Sequence, residues 1–195
     1  MTDHTSTYLQ EASTISVSVD VRQVDALVEA LVELRARNGR LFLLGVGGSA
    51  ANASHAVNDF RKLCSIEAYA PTDNVAELSA RINDEGWDSA FASWLSASNL
   101  ASKDAVFVLS VGGGDEARGV SVNLIRAVEL ARASGATILG IVGRPDGFVA
   151  DYADAAVVIP IVNPERLTPH SESFQSVIWH CLVSNPRLQT TPTTW

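Results

Sequence analysis

LFLLGVGGSAANASHAVNDF, residues 41–60, sets the frame for the rest of the chain. It opens with four large apolar residues, a run too short to separate strand from helix by itself. Gly45, Gly47 and Gly48 then interrupt it, and Ser49 leads into a series of small residues. The pattern predicts a buried strand, a tight glycine turn, and a helix with Ser49 as its N-cap. Glycines let the backbone approach a ligand closely, and the free N–H groups and dipole of the new helix favour an anion. The turn is not a P-loop, because no Gly-Lys-Ser/Thr follows, nor GxGxxG, because the third glycine is missing. Further along, His55 and Asp59 stand four residues apart and share one helix face. An anion pocket with an imidazole and a carboxylate beyond it suits sugar-phosphate chemistry.

Upstream, Val21, Val24, Leu27, Val28, Leu31, Val32 and Leu34 follow helical spacing and predict a helix over 19–38 that Asn38-Gly39 ends. Residues 1–18 read as an irregular segment or a short helix. Downstream, strands are expected at 40–46, 66–70, 105–110, 136–142 and 155–160. Helices are expected from Ser49 to about Cys64, over 74–82, 87–100, 122–133 and 148–153, and from Ser171 to Val183. Asn83–Gly86 reads as a polar turn, with Asp84 capping the next helix, and 163–169 as a loop because of its two prolines. The last residues, from 187 on, read as a tail that is loose or packed on a partner. Continuous apolar strands alternating with helices imply an α/β fold, a three-layer αβα sandwich with a mostly parallel five-stranded sheet. Ligands in such sheets bind beyond the carboxyl ends of the strands, where the strand order switches. Two glycine turns, Gly45–Gly48 and Gly112–Gly114, fall at such ends.

Composition narrows the function. A chain of 195 residues, 47% hydrophobic, fits one domain, 1–195, with an N-terminal helical segment. No apolar run approaches the roughly 20 residues that span a bilayer, and MTDHTSTYLQEAST lacks the features of a signal peptide. Cys64 and Cys181 are too few for a disulfide framework or a thiolate zinc site, so a cytoplasmic setting is expected. A net charge of −8 argues against a nucleic-acid partner.

GVGGSAANASHAVNDF resembles the GNGGS…H…E signature of sugar isomerase (SIS) domains of the phosphoheptose isomerase type. The resemblance extends to Asn83-Asp84, to DAVFVLS, to SGATILGIVGRPDG and to ES…IWH in the last helix. It implies interconversion of sedoheptulose 7-phosphate and a heptose 7-phosphate, homotetramers with active sites between subunits, and zinc in several members. It places substrate contacts at Val46, Gly47 and Gly48, with Ser49 beside them, at Asn83 and Asp84, and at Ser110 and Ser121. It places catalysis at Asp59, Glu172 and His180, and metal ligation at His55, Asp59, Glu172 and His180. Val46 stands where the family has a side-chain amide, Asp59 is one methylene shorter than glutamate, and Glu172 replaces glutamine. The second loop, VGGGDEARGVS, has glycines where the family has hydroxyls; Asp115 and Glu116 would repel a phosphate, and Arg118 could offset them.

Aldose–ketose isomerisation needs a base at the C–H, an acid at the carbonyl oxygen, and a stabiliser for the developing charge. Asp59 or Glu172 suits the base and His180 the acid. Two imidazoles and two carboxylates make a zinc set without cysteine, although Glu172 and His180 lie roughly 12 Å apart along a helix. Each residue also has a structural role open to it: His180 as a core histidine beside Trp179, Asp59 as a partner of Arg61 or Lys62. A non-catalytic SIS module that binds a sugar phosphate or a protein partner is the second function class.

Overall fold

The computed structural model describes residues 3–193. Its sheet has five strands, β1 (Leu41–Leu44), β2 (Ala68–Tyr69), β3 (Ala105–Ser110), β4 (Thr137–Val142) and β5 (Ala155–Val158), in the order β2-β1-β3-β4-β5. Every neighbouring pair is parallel, with Leu41 opposite Ala105 and Ser110 opposite Val142. Four strands are shorter than expected, 41–44 for 40–46, 68–69 for 66–70, 137–142 for 136–142 and 155–158 for 155–160, because pairing stops where turns and loops leave the sheet.

Alternate strand residues face opposite sides, so the sheet divides two cores. Leu41, Leu43 and Phe107 pack under α2 (Val21–Ala36), α3 (Gly48–Cys64) and α8 (Leu167–Val183), with Ile15 of α1 (His4–Ser18) joining them. Phe42, Leu44, Val106 and Val108 pack under α5 (Ala90–Ala97) and α6 (Val122–Ala133), with Val149 of the short α7 (Phe148–Tyr152). The remaining helix, α4 (Val75–Glu85), carries no buried residue.

Several boundaries differ from the expectation for local physical reasons. Residues 4–18 form a full helix, because Asp3 caps it through Thr5 and Ser6 N–H and Glu11 anchors its middle. Glu11 accepts from Asn163 at 2.8 Å, Arg166 at 2.7 Å and His170 at 2.9 Å, and Tyr8 stacks on His170. Asp20 caps α2 afresh, so the expected helix 19–38 begins at Val21. Helix α8 starts at Leu167, not Ser171, because Pro169 falls in the first turn, where a missing N–H costs nothing.

As far as residue 193 the tail is described, and its first residues pack on the domain itself. Leu188 is fully buried, and Thr190 and Thr191 N–H groups donate to the Leu63 carbonyl at 2.7 and 3.2 Å. Arg35 reaches across to the carbonyls of Cys64, Leu188 and Arg187 at 3.3, 2.6 and 2.7 Å. Also at the amino ends of the strands, Asp104 is fully buried against Arg40 at 2.6 Å. Burial pushes the Asp104 carboxyl up, but Arg40 and the backbone N–H groups of Arg40 and Ala101 outweigh it and hold it below the usual range.

Candidate active site

The strand order reverses between β1 and β3, and both glycine turns leave the sheet at that point. In the first turn the N-cap of α3 is Gly47, not Ser49. Gly47 has φ +62° and ψ −127°, a conformation that L side chains resist. Ser49 lies one residue inside the helix, and its buried hydroxyl accepts from Gln175 Nε2 at 3.0 Å. A Cβ on Gly48 would lie 2.5 Å from a Glu172 carboxylate oxygen, which places that carboxylate over the glycine turn. Val46 is exposed beside it.

In the second turn Ser110 is buried and accepts from Gly113 N–H at 3.0 Å, so its hydroxyl shapes the loop. Asp115 pairs with Val120 in an antiparallel bridge, and Arg118 turns back to Asp115 at 3.5 Å. Ser121 is the N-cap of α6 with φ +53° and makes no capping bond, which leaves its hydroxyl free of that task.

Helices α3 and α8 run side by side in the same direction. Contacts pass in step from Gly48 with Glu172, through Ser49 with Gln175 and Asn52 with Ser176, to His55 with His180 and Cys64 with Val183. Near the far end of this seam His55, Asp59 and His180 each offer a ligand atom, and these atoms lie within 4.8 Å of one another. His55 Nε2 stands 3.8 Å from Asp59 Oδ2, while Asn58 donates to Asp59 Oδ1 at 2.8 Å. His180 Nδ1 lies 2.8 Å from the Ser176 carbonyl, which can only accept; Nδ1 therefore carries the proton and Nε2 keeps its lone pair. A depression of about 510 Å³ opens over the three residues, with Lys62, Ser184 and Gln189 among its other walls.

His180 is thus an exposed histidine, not a core one, and Asp59 pairs with His55 and Asn58 instead of Arg61 or Lys62. Glu172 does not join the cluster. Its eight-residue separation from His180 along a straight helix leaves it at the glycine turn, so the expected four-residue set becomes three residues and a separate carboxylate. Asn83 and Asp84 belong to the last turns of α4, not a polar turn; Asn83 donates to Asp84 at 2.7 Å and neither lines the depression. Asp84 caps nothing, since α5 begins at Ala90 after Ser89. Cys64 is buried, whereas Cys181 is exposed. Asn52, Gln175 and Ser176 went unremarked in the sequence. Their signal was the spacing: Asn52 precedes His55 by three residues, and Ser176 precedes His180 by four.

This donor set fits a divalent metal. Two imidazoles and a carboxylate converge, one imidazole is held with its free nitrogen outward, and the site is open for further ligands.

The model of the SIS domain family matches residues 7–143. The phosphoheptose isomerase of a Roseiflexus species is 30% identical over 167 residues, covering 78% of this chain and 81% of that one. That of a Nitratiruptor species is 32% identical over 158 residues, covering 78% and 79%. The structure of phosphoheptose isomerase from Neisseria gonorrhoeae superimposes with a TM-score of 0.78 at 22% identity, over 92% of this chain and 94% of that one. The chain belongs to the SIS domain family, among its members of the phosphoheptose isomerase type.

Proposed function

We propose that the protein is an aldose–ketose isomerase that interconverts sedoheptulose 7-phosphate and a heptose 7-phosphate through an ene-diol. The observation that carries this reading is the convergence of His55, Asp59 and His180 in an open depression at one end of the α3–α8 seam, with the glycine turn at the other. The seam gives an extended sugar phosphate two ends to meet. The phosphate lies at the Gly47–Ser49 turn and the free Ser121 hydroxyl, and the reacting carbons lie near Asp59 and His180.

Asp59 acts as the base toward the C–H, and His180 moves protons between the two oxygens. With Nδ1–H given to Ser176, Nε2 is the one atom through which His180 either passes a proton or holds a metal, never both at once. Glu172, over the turn, orients sugar hydroxyls, which it can only accept from. His55, Asp59 and His180 would hold zinc, which supplies Lewis-acid stabilisation of the developing oxyanion when bound.

We read the enzyme as a cytoplasmic homo-oligomer, with a tetramer as the family would have it. Support comes from exposed apolar side chains around the α1–α2 junction and α8: Val17 is 83% exposed, Val21 67% and Val177 51%. Asn83 and Asp84 then reach a site only if a neighbouring subunit presents them. Among the described residues no helix is long and apolar enough to cross a membrane.

A coupled assay over a panel of six- and seven-carbon sugar phosphates, with and without a chelator, tests the reading. Turnover is expected with sedoheptulose 7-phosphate and is expected to fall when metal is removed. Tight sugar-phosphate binding with no turnover of any substrate would favour a binding module instead.

A further inference from the structure

We propose that Asn52, acting with Gln175 and Ser176, is a positioning residue that fixes the register of α8 on α3 and so places the His180 imidazole against His55 and Asp59. The inference rests on the reading of those last three residues as the catalytic and metal-holding set.

Asn52 lies on the same helix face as His55 and Asp59, three and seven residues ahead of them. Its side chain spends itself entirely on α8. Nδ2 donates to the Glu172 carbonyl at 2.9 Å and to Gln175 Oε1 at 3.0 Å, and Oδ1 accepts from Ser176 Oγ at 2.6 Å. The amide orientation follows from chemistry: a backbone carbonyl only accepts, so the nitrogen must face Glu172. Gln175 is fully buried and is fixed at both ends, since its Nε2 donates to Ser49 Oγ at 3.0 Å. Ser176 faces both ways, with its hydroxyl on Asn52 and its carbonyl on His180 Nδ1–H at 2.8 Å.

A continuous chain of bonds therefore runs from the glycine turn to the imidazole through Ser49, Gln175, Asn52, Ser176 and His180. Sliding α8 by one residue, a rise of about 1.5 Å, would break the Asn52 contacts and leave the buried Gln175 amide unpaired. The same slide is a large fraction of the 4.8 Å within which the three ligand atoms gather. Apolar packing alone sets no such register, because it has no direction. Hydrogen bonds across the seam do.

The test uses the full chain and four variants: Asn52→Ala, Asn52→Asp, Ser176→Ala and Ser176→Thr. Zinc affinity is measured by competition with a chromophoric chelator, alongside the thermal midpoint and steady-state kinetics with sedoheptulose 7-phosphate. Asn52→Ala and Ser176→Ala should bind zinc roughly 10–100-fold more weakly, the usual cost of removing an outer support of a metal ligand. They should also lose kcat with little change in KM, and Ser176→Thr, which keeps the hydroxyl, should recover both. Asn52→Asp, whose carboxylate faces the Glu172 carbonyl, should fall with Asn52→Ala. If Asn52→Ala does not fold, the Ser176 pair carries the test. Variants that lose thermal stability while zinc affinity and kcat of the folded protein stay at wild-type values would overturn the proposal. Wild-type protein that neither binds zinc nor turns over substrate would overturn the reading beneath it, an outcome visible before any variant is made.

Discussion

Gly45, Gly47 and Gly48 lie within four positions and need glycine to different degrees. A Cβ on Gly45 would lie 2.5 Å from the Ser49 backbone, which cannot yield without moving the start of α3. The atoms nearest a Cβ on Gly48 are those at the end of the Glu172 side chain, which can swing away. Gly45→Ala should therefore cost about 1–3 kcal/mol or more, and Gly48→Ala clearly less; urea unfolding of both gives the order. Glu172 itself is a charge beside the proposed phosphate. At about 5 Å in a water-like dielectric its repulsion of one unit charge is near 0.8 kcal/mol. Glu172→Gln should accordingly lower KM for a sugar phosphate about four-fold, and an unchanged or higher KM would place the phosphate elsewhere. Glu11 gives a pH signature. The hydrogen bond from His170, then those from Asn163 and Arg166, hold its carboxyl down at about 2 from a usual 4.5. A carboxyl lowered in the folded state stabilises above its unfolded value and loses that contribution as pH falls toward its folded value. The stability gap between wild type and Glu11→Gln, read by urea at pH 6 and pH 3.5, should narrow at the lower pH.

At the level of elements, the C-terminal strap is held by the buried Leu188, by the Arg35 guanidinium of α2 and by Thr190 and Thr191 on the end of α3. Leu188→Ala should cost about 2–5 kcal/mol, as for other buried leucines, and should loosen the wall that Gln189 lends to the depression. Urea unfolding checks the first effect and proteolysis after Asn185 the second. This strap illustrates what the sequence did and did not reveal. LFLL, AVFVLS and TILGIV were legible because a strand buried on both faces must be apolar throughout, and the glycines after them marked the carboxyl ends. His55 with Asp59 was legible because four-residue spacing on a helix puts both on one face. The strap was not, because residues 187–193 contain one large aliphatic residue and are held by Arg35, more than 150 positions away. Nor was the split of Glu172 from the cluster settled by the resemblance. The expectation kept Glu172 in the set although it lies roughly 12 Å from His180 along the helix, and in the structure Glu172 stays at the glycine turn. Asn83-Asp84 misled because two short polar residues favour turns, yet on α4 the Asn74 cap carries the helix through them.

For the whole molecule, the two glycine turns lie at the carboxyl end of the sheet, at its switch point, the seam runs back from the first of them to the depression, and the amino end is closed by the buried Arg40–Asp104 pair. The exposed valines at the α1–α2 junction and on α8 predict an oligomer at micromolar concentration. Sedimentation equilibrium checks it, and Val177→Lys on the exposed face of α8 should shift the distribution toward monomer. Zinc binding should weaken in acid, because metal and proton compete for the same imidazole nitrogens. The most direct test of the isomerase reading is to incubate metal-replete protein with sedoheptulose 7-phosphate in deuterated water and follow the sugar by NMR. Proton transfer by Asp59 and His180 through an ene-diol predicts an aldoheptose 7-phosphate carrying deuterium at the carbon beside the new carbonyl, formed by wild type and not by folded His180→Ala. Recovery of unlabelled, unconverted sugar from folded wild-type protein would contradict it.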